Sequence, residues 1–183
     1  MATTTAARRR LLRRPAAIVA LAVLVVAAGV GLYLFQPWKL VVDQTVSEAA
    51  PVVTAPEVVD AADAPAGPTV LATGELITHE HATTGSVHLL QLPDGSKVLR
   101  VEDLDTSNGP QLKVWLTDQP VIEGRDGWHV FDDGRHVDLG DLKGNLGSAN
   151  YPVPADADLT GLSSVSIWCD RFDVSFGAAE LRS

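Results

Sequence analysis

The chain has 183 residues, a single cysteine and a formal net charge of −9. The charge is divided: Arg8, Arg9, Arg10, Arg13 and Arg14 come first, and from Gln36 onward 9 basic side chains face 23 acidic ones, beginning at Asp43. So acidic a body repels nucleic acid and excludes that partner, and one cysteine excludes an internal disulfide framework.

Residues 1–15 form a basic tail. Residues 16–35 are a run of 20 without a charge, enough for a helix of roughly 30 Å, one hydrocarbon thickness. The arginines predict a cytoplasmic N-terminus and an extracytoplasmic C-terminal portion, hence a single-pass protein of the cell membrane. Tyr33 and Trp38 stand where an interfacial aromatic belt is expected. Two readings compete, an uncleaved signal anchor and a cleaved signal peptide. Ala27-Ala28-Gly29 offers small residues for cleavage, but the apolar run continues through Val30, Leu32, Tyr33, Leu34 and Phe35. That length favours the anchor.

Residues 36–69 are rich in Ala, Val, Pro and acids, with Pro37, Pro51, Pro56, Pro65 and Pro68 spread through them. No period of 2 or 3.6 residues is sustained, which predicts an extended spacer.

From residue 70 to 183 the pattern becomes short alternating runs broken by turn residues. Residues 85–92 lead through Pro93-Asp94-Gly95-Ser96 into residues 97–101, the pattern of a hairpin. Leu112, Val114 and Leu116 alternate on one face of the next strand. Residues 128–131 and 136–139 read as two more strands, and residues 143–158, with Gly144, Gly147, Pro152 and Pro154, as a long loop. Val165, Ile167 and Cys169 alternate with Ser164, Ser166 and Trp168, after which the apolar parity shifts to Phe172, Val174 and Phe176. A parity slip requires a bulge or a hairpin at Asp170-Arg171. With no Gly or Asn there to take positive φ, a bulge is the expectation. About eight to nine short strands and no helical stripe predict an all-β antiparallel sandwich or barrel-like domain behind one transmembrane helix.

Few motifs carry chemistry. His79-x-His81 would put two imidazoles on one strand face, but a metal site needs three or four ligands, and His88, His129 and His136 have no ligand spacing. Asp103-Leu-Asp-Thr-Ser-Asn-Gly109 has its glycine one position late for a calcium loop and Val114 where a bidentate acid is needed. Its Asp and Asn side chains suit a turn instead. There is no phosphate loop, nucleophile elbow or Cys-x-x-Cys-His haem attachment. No metal ligand set and no complete enzyme active site can be read. Cys169 is the one odd group, either a partner in an intermolecular disulfide, a reactive thiol, a ligand to a prosthetic group, or inert packing.

Several blocks together resemble a known family. They are Gly74-Glu-Leu, His81-Ala-Thr-Thr-Gly-Ser-Val, Leu104-Asp-Thr-Ser-Asn-Gly-Pro-Gln-Leu-Lys-Val-Trp-Leu116, Leu142-Lys-Gly-Asn, Asn150-Tyr-Pro-Val-Pro154 and Ser166-Ile-Trp-Cys-x-x-Phe172-x-Val-x-Phe176-Gly-x-Ala179-x-Leu181. In this order they are similar to the DM13 domain, over about residues 71–181. The resemblance implies a β-rich extracellular module taking part in electron transfer. Cys169 would be the redox group, as a bare thiol or as a ligand to haem, with His81 the first candidate for the second axial position. It also implies a redox partner protein in the cell envelope. The other reading is a non-catalytic envelope binding or structural β domain in which Cys169 is inert. Residues alone leave both open.

Overall fold

A computed structural model of the chain describes residues 4–51 and 67–183. The chain divides into two compact units after Pro37.

The first unit is a helix, α1 (Thr4–Phe35), which runs through Pro15. It starts more than two turns before the expected span, because Ala, Arg and Leu are strong helix formers. Within it Ile18, Leu21, Leu24, Val26 and Leu32 are all exposed. Such exposure of apolar side chains along the helix is compatible with a membrane span. Its length and apolarity suffice to cross a membrane, as a single-pass anchor or a signal peptide.

The second unit is a sandwich of two five-stranded sheets. The first sheet is ordered β1 (Thr45–Ser47), β8 (Leu146–Val153), β5 (Lys97–Asp105), β4 (Thr84–Gln91), β2 (Thr69–Glu75). The second is ordered β3 (Ile77–Thr78), β10 (Val174–Glu180), β9 (Ser164–Cys169), β6 (Leu112–Thr117), β7 (His136–Asp141). Every pairing is antiparallel except β1 with β8. The sandwich does not close into a barrel. Leu99, Val101, Ala149 and Tyr151 face Val114, Leu116, Val165, Ile167 and Cys169 in the main core. The β4–β5 turn is as expected: Leu92 N–H donates to Ser96 O (2.8 Å), and Asp94 accepts from the Ser96 amide (2.9 Å).

Four local expectations are corrected. Residues 143–158 are not a loop, for they contain β8, which lies between β5 and β1. The glycine and prolines hid it. Gly147, at φ 100°, makes room for the neighbouring strand, and Pro152 lies past the stretch that β1 pairs, so its missing N–H breaks no ladder there. Residues 128–131 are not a strand but turns following a short 3-10 turn (Arg125–Gly127). The chain makes a hairpin, not a bulge, at residues 170–173. Phe172 N–H donates to Cys169 O at 3.2 Å, and Asp173 supplies the positive φ (50°), a conformation short polar side chains tolerate. The bulge falls in β10 between Ser175 and Gly177.

The fourth concerns the spacer. Residues 38–49 lie on the domain, where Thr45, Val46 and Ser47 pair with Leu146, Gly147 and Ser148. Asn150 Nδ2 donates to Ala49 O (2.8 Å), and Lys143 Nζ pairs with Glu48 (2.8 Å). Three residues of strand cannot announce themselves by periodicity, since their partner is 101 residues away. The remainder of the expected spacer, residues 52–66, lies outside the described residues.

A Cβ at Gly147 would stand 2.0 Å from Val46 O. Gly147→Ala should therefore unseat β1 and cost about 1–3 kcal/mol, from strain at positive φ and the clash. Urea unfolding measures the loss, and faster amide exchange of residues 45–48 should localise it.

Candidate functional site

Cys169 ends β9, paired with Leu112 on one side and Val174 on the other. Strand alternation sends Trp168 to the outer face and the thiol inward. Cys169 has 0% exposure, and its Sγ–H donates to Pro110 O at 3.2 Å. Burial pushes the thiol pKa up. The negative charges of Glu80 and Asp170 act in the same direction, against the main-chain N–H groups of Arg171 and Phe172. The resting group is a neutral thiol, not a thiolate.

The segment bearing Pro110 is shaped for this cover. Gln111 takes φ 53°, and its carbonyl accepts from Asp170 N–H at 3.1 Å. Gly109 is packed so closely that a Cβ there would stand 2.8 Å from Phe176 Cζ. The other side of this corner is held by Thr83. Its Oγ1 lies 3.0 Å from His81 O, 2.9 Å from Phe176 O and 2.7 Å from Thr106 Oγ1.

His81 does not share a strand face with His79, because β3 stops at Thr78 and both histidines occupy a bend. The His81 ring lies on Phe176, centroids 3.9 Å apart, with Nε2 3.7 Å from Glu80. His79 is buried. The Ser175 hydroxyl donates to Gly177 O and accepts from Ser166, so its remaining lone pair takes the Nδ1–H of His79 (2.9 Å). Burial holds the His79 pKa below the usual imidazole value, with the Ile122 main chain opposing.

Cys169 and His81 thus both border Phe176's corner of the sandwich, yet as arranged they do not fit a haem. The thiol is sealed and already bonded to Pro110, and the imidazole face is taken up by Phe176. Among the described residues no group of three or more His, Cys, Asp or Glu gathers to hold a metal ion. His88 pairs instead with Glu102 (3.1 Å), and His136 stacks on Trp115 (3.8 Å). Between Asp103 and Gly109 it is Asn108 that serves the main chain, its Oδ1 accepting from Gly109 N–H (2.9 Å).

On the opposite face of β9, Trp168 stacks on Trp115 at 5.0 Å and meets Phe131 edge-on at 6.4 Å. The loop between β6 and β7 closes over them with Val121 and Val130.

Sequence reading missed Thr83, Lys39, Asn108 and Asn145, which build the surroundings of Cys169 from distant segments. Thr83, Asn108 and Asn145 each lie inside one of the quoted blocks, which was their one signal, while Lys39 lies outside them.

Cys169→Ala should cost about 1–2 kcal/mol at pH 7, the loss expected for a small buried side chain. A folded pKa raised above the unfolded value of about 8.5 gives stability that is full below that value and is lost as pH rises through the folded pKa. Wild-type stability should therefore fall above about pH 8.5. Tyr151, whose pKa burial also raises, contributes to the fall at higher pH. The variant should fall less steeply, as urea melts between pH 7 and 10 would show.

A model of the family described as Electron transfer DM13 matches residues 75–181, more than half of the chain and the sandwich from β3 to β10. No curated protein and no solved structure matches the chain.

Proposed function

We propose, for a chain that belongs to the electron transfer DM13 family, that it is a membrane-anchored extracytoplasmic electron-transfer module with Cys169 as its redox group. In this reading residues 1–15 stay in the cytoplasm, residues 16–35 cross the membrane uncleaved, and the sandwich faces the cell exterior, where a redox partner protein meets it. The arginines in the N-terminal part of α1 and the acidic body after it support this orientation. The observation that carries the reading is the family match over the sandwich, whose only thiol is Cys169.

The chemistry follows from the burial. Closed, Cys169 is protonated and unreactive, because thiolate is the nucleophile. Opened at Pro110, it loses its proton to water, and the thiolate displaces one sulfur of a partner disulfide. A mixed disulfide forms and the other partner sulfur leaves as thiolate. A thiolate of a dithiol donor then attacks the partner's sulfur in that bond and releases Cys169 reduced, and the donor's second thiol displaces that sulfur in turn, so that the donor closes to a disulfide and the partner is left with two thiols. The electron pair passes between the partners and the cysteine returns to its starting state.

The same burial favours a second reading, in which the domain is a binding or structural module of the envelope and Cys169 is one small apolar side chain of the core. Glutathione disulfide separates the two. With the folded full chain in detergent, the redox reading expects a slow mixed disulfide at Cys169, seen by mass and reversed by reduced glutathione, with the circular dichroism unchanged. Modification confined to denaturant would establish the structural reading. A haem titration runs beside it. No Soret band is expected, and a band lost in Cys169→Ala would return Cys169 to the role of haem ligand.

A further inference from the structure

The cover over Cys169 is itself held by the segment that follows α1. Residues 39–44 and residues 106–109 are linked by two direct hydrogen bonds and, further, through Asn145. Lys39 Nζ donates to Gly109 O (3.1 Å), and Asn108 Nδ2 donates to Val42 O (2.9 Å). Asn145, buried between the two segments, joins the rest. Its Oδ1 accepts from Gln44 N–H (2.7 Å), and its Nδ2 lies 2.9 Å from Asp43 Oδ1 and 2.8 Å from Thr106 O. Thr106 N–H returns to Asn145 O (3.0 Å). The next residue after Gly109 is Pro110, whose carbonyl takes the Cys169 thiol.

The seat is built for this strap and not shared with a side chain. A Cβ at Gly144 would stand 2.5 Å from Gln44 O. Gly147 meets Val46 more closely still, and the parallel β1 ladder extends the attachment to Ser47. Residues 108–110 have no regular strand or helix of their own. Local opening draws on such segments, which rest on a few hydrogen bonds rather than on a ladder.

We propose that residues 39–47 are a latch. Docked, they hold residues 106–110 down and keep Cys169 closed; lifted, they free Pro110 and admit a partner to the thiol. The latch directly follows the α1 helix in the chain, so an event at the membrane anchor, or a partner that competes for the β1 edge of β8, would switch access to Cys169. This rests on the electron-transfer reading for its consequence but not for its test, because alkylation reports access whether or not the thiol carries electrons.

The test uses the full chain in detergent with iodoacetamide. In that reaction the sulfur–carbon bond forms, iodide leaves and the thiol proton goes to water. Removal of the two side chains in Lys39→Met/Asn108→Ala should raise native Cys169 alkylation about tenfold, the effect of weakening a local closure by one to two hydrogen bonds. The increase should persist at low urea with little urea dependence. Arg135→Ala, which removes surface contacts to Asp118, Asp158 and Thr160, should leave the rate unchanged. An unchanged rate in the double variant, or an equal rise in Arg135→Ala, would overturn the latch. Hydrogen exchange on the unsubstituted chain gives a second reading that depends on no variant. The amides of Gln44, Thr106 and Asp170 should open as one group at a free energy below that of global unfolding, and three unrelated exchange rates would overturn the proposal. A failed latch leaves the glutathione result intact. Absent glutathione exchange removes the redox role while alkylation still reads the latch.

Discussion

Burial of β9 on both faces is the constraint from which the rest of the domain follows. All six of its residues are buried. An antiparallel strand of a sandwich normally gives one face to the core and one to water. Here the inner face places Val165, Ile167 and Cys169 in the main core, and the outer face is closed by the β6–β7 loop over Trp168 and Trp115. The hydroxyls that would otherwise meet water must then find partners within the protein. Ser166 donates to Ser175, and Ser164 donates to Gln119 O at 2.6 Å in the covering loop. A strand so enclosed has little freedom to slip, and it positions the thiol at its end with corresponding rigidity.

That rigidity separates two regimes around Cys169. On one side the thiol stands on a strand buried at every residue, the least accessible among the described residues. On the other it is covered by residues 106–110, whose attachments run to Asn145 and to the strap that follows α1. The electrostatics agree with the geometry. Burial, Glu80 and Asp170 all disfavour the thiolate, so reactivity cannot come from a lowered pKa in the closed state. Any chemistry at this sulfur has to be a consequence of opening, and residues 106–110 are the side held by scattered hydrogen bonds rather than by a ladder.

Asn145 connects that cover to the strap. It is almost fully buried, and a buried amide is tolerated only when its donors and acceptor are satisfied. Its contacts draw Asp43, Gln44 and Thr106 together across more than 100 residues of sequence. Lys143 is bound in the same region to Glu48, whose pKa the Lys143 hydrogen bond and the Asn150 amide lower. The glycines at 144 and 147 clear the space between them. The block around Leu142 that looked like loop chemistry is thus the seat of a strand and its strap.

The sequence by itself determined what depends on local periodicity and local turn chemistry. The unbroken apolar run specified most of α1, alternation specified β6 and β9 with their apolar faces, and the hairpin pattern around Pro93-Asp94-Gly95 specified β4, β5 and the turn joining them. Cys169 facing inward was legible for the same reason, as was the family through its ordered blocks. Only the tertiary structure decided what depends on partners distant in sequence. It made a strand of the proline-bearing residues 146–153, because β5 and β1 flank them. It turned Asp170 to Asp173 into a hairpin, because Asp173 takes the left-handed backbone that an aspartate tolerates but does not by itself require. It packed the strap onto the domain and separated His81 from His79. Hydrogen bonds across a hundred residues leave no period in the chain, so the closure over Cys169 exists only once the two sheets have come together.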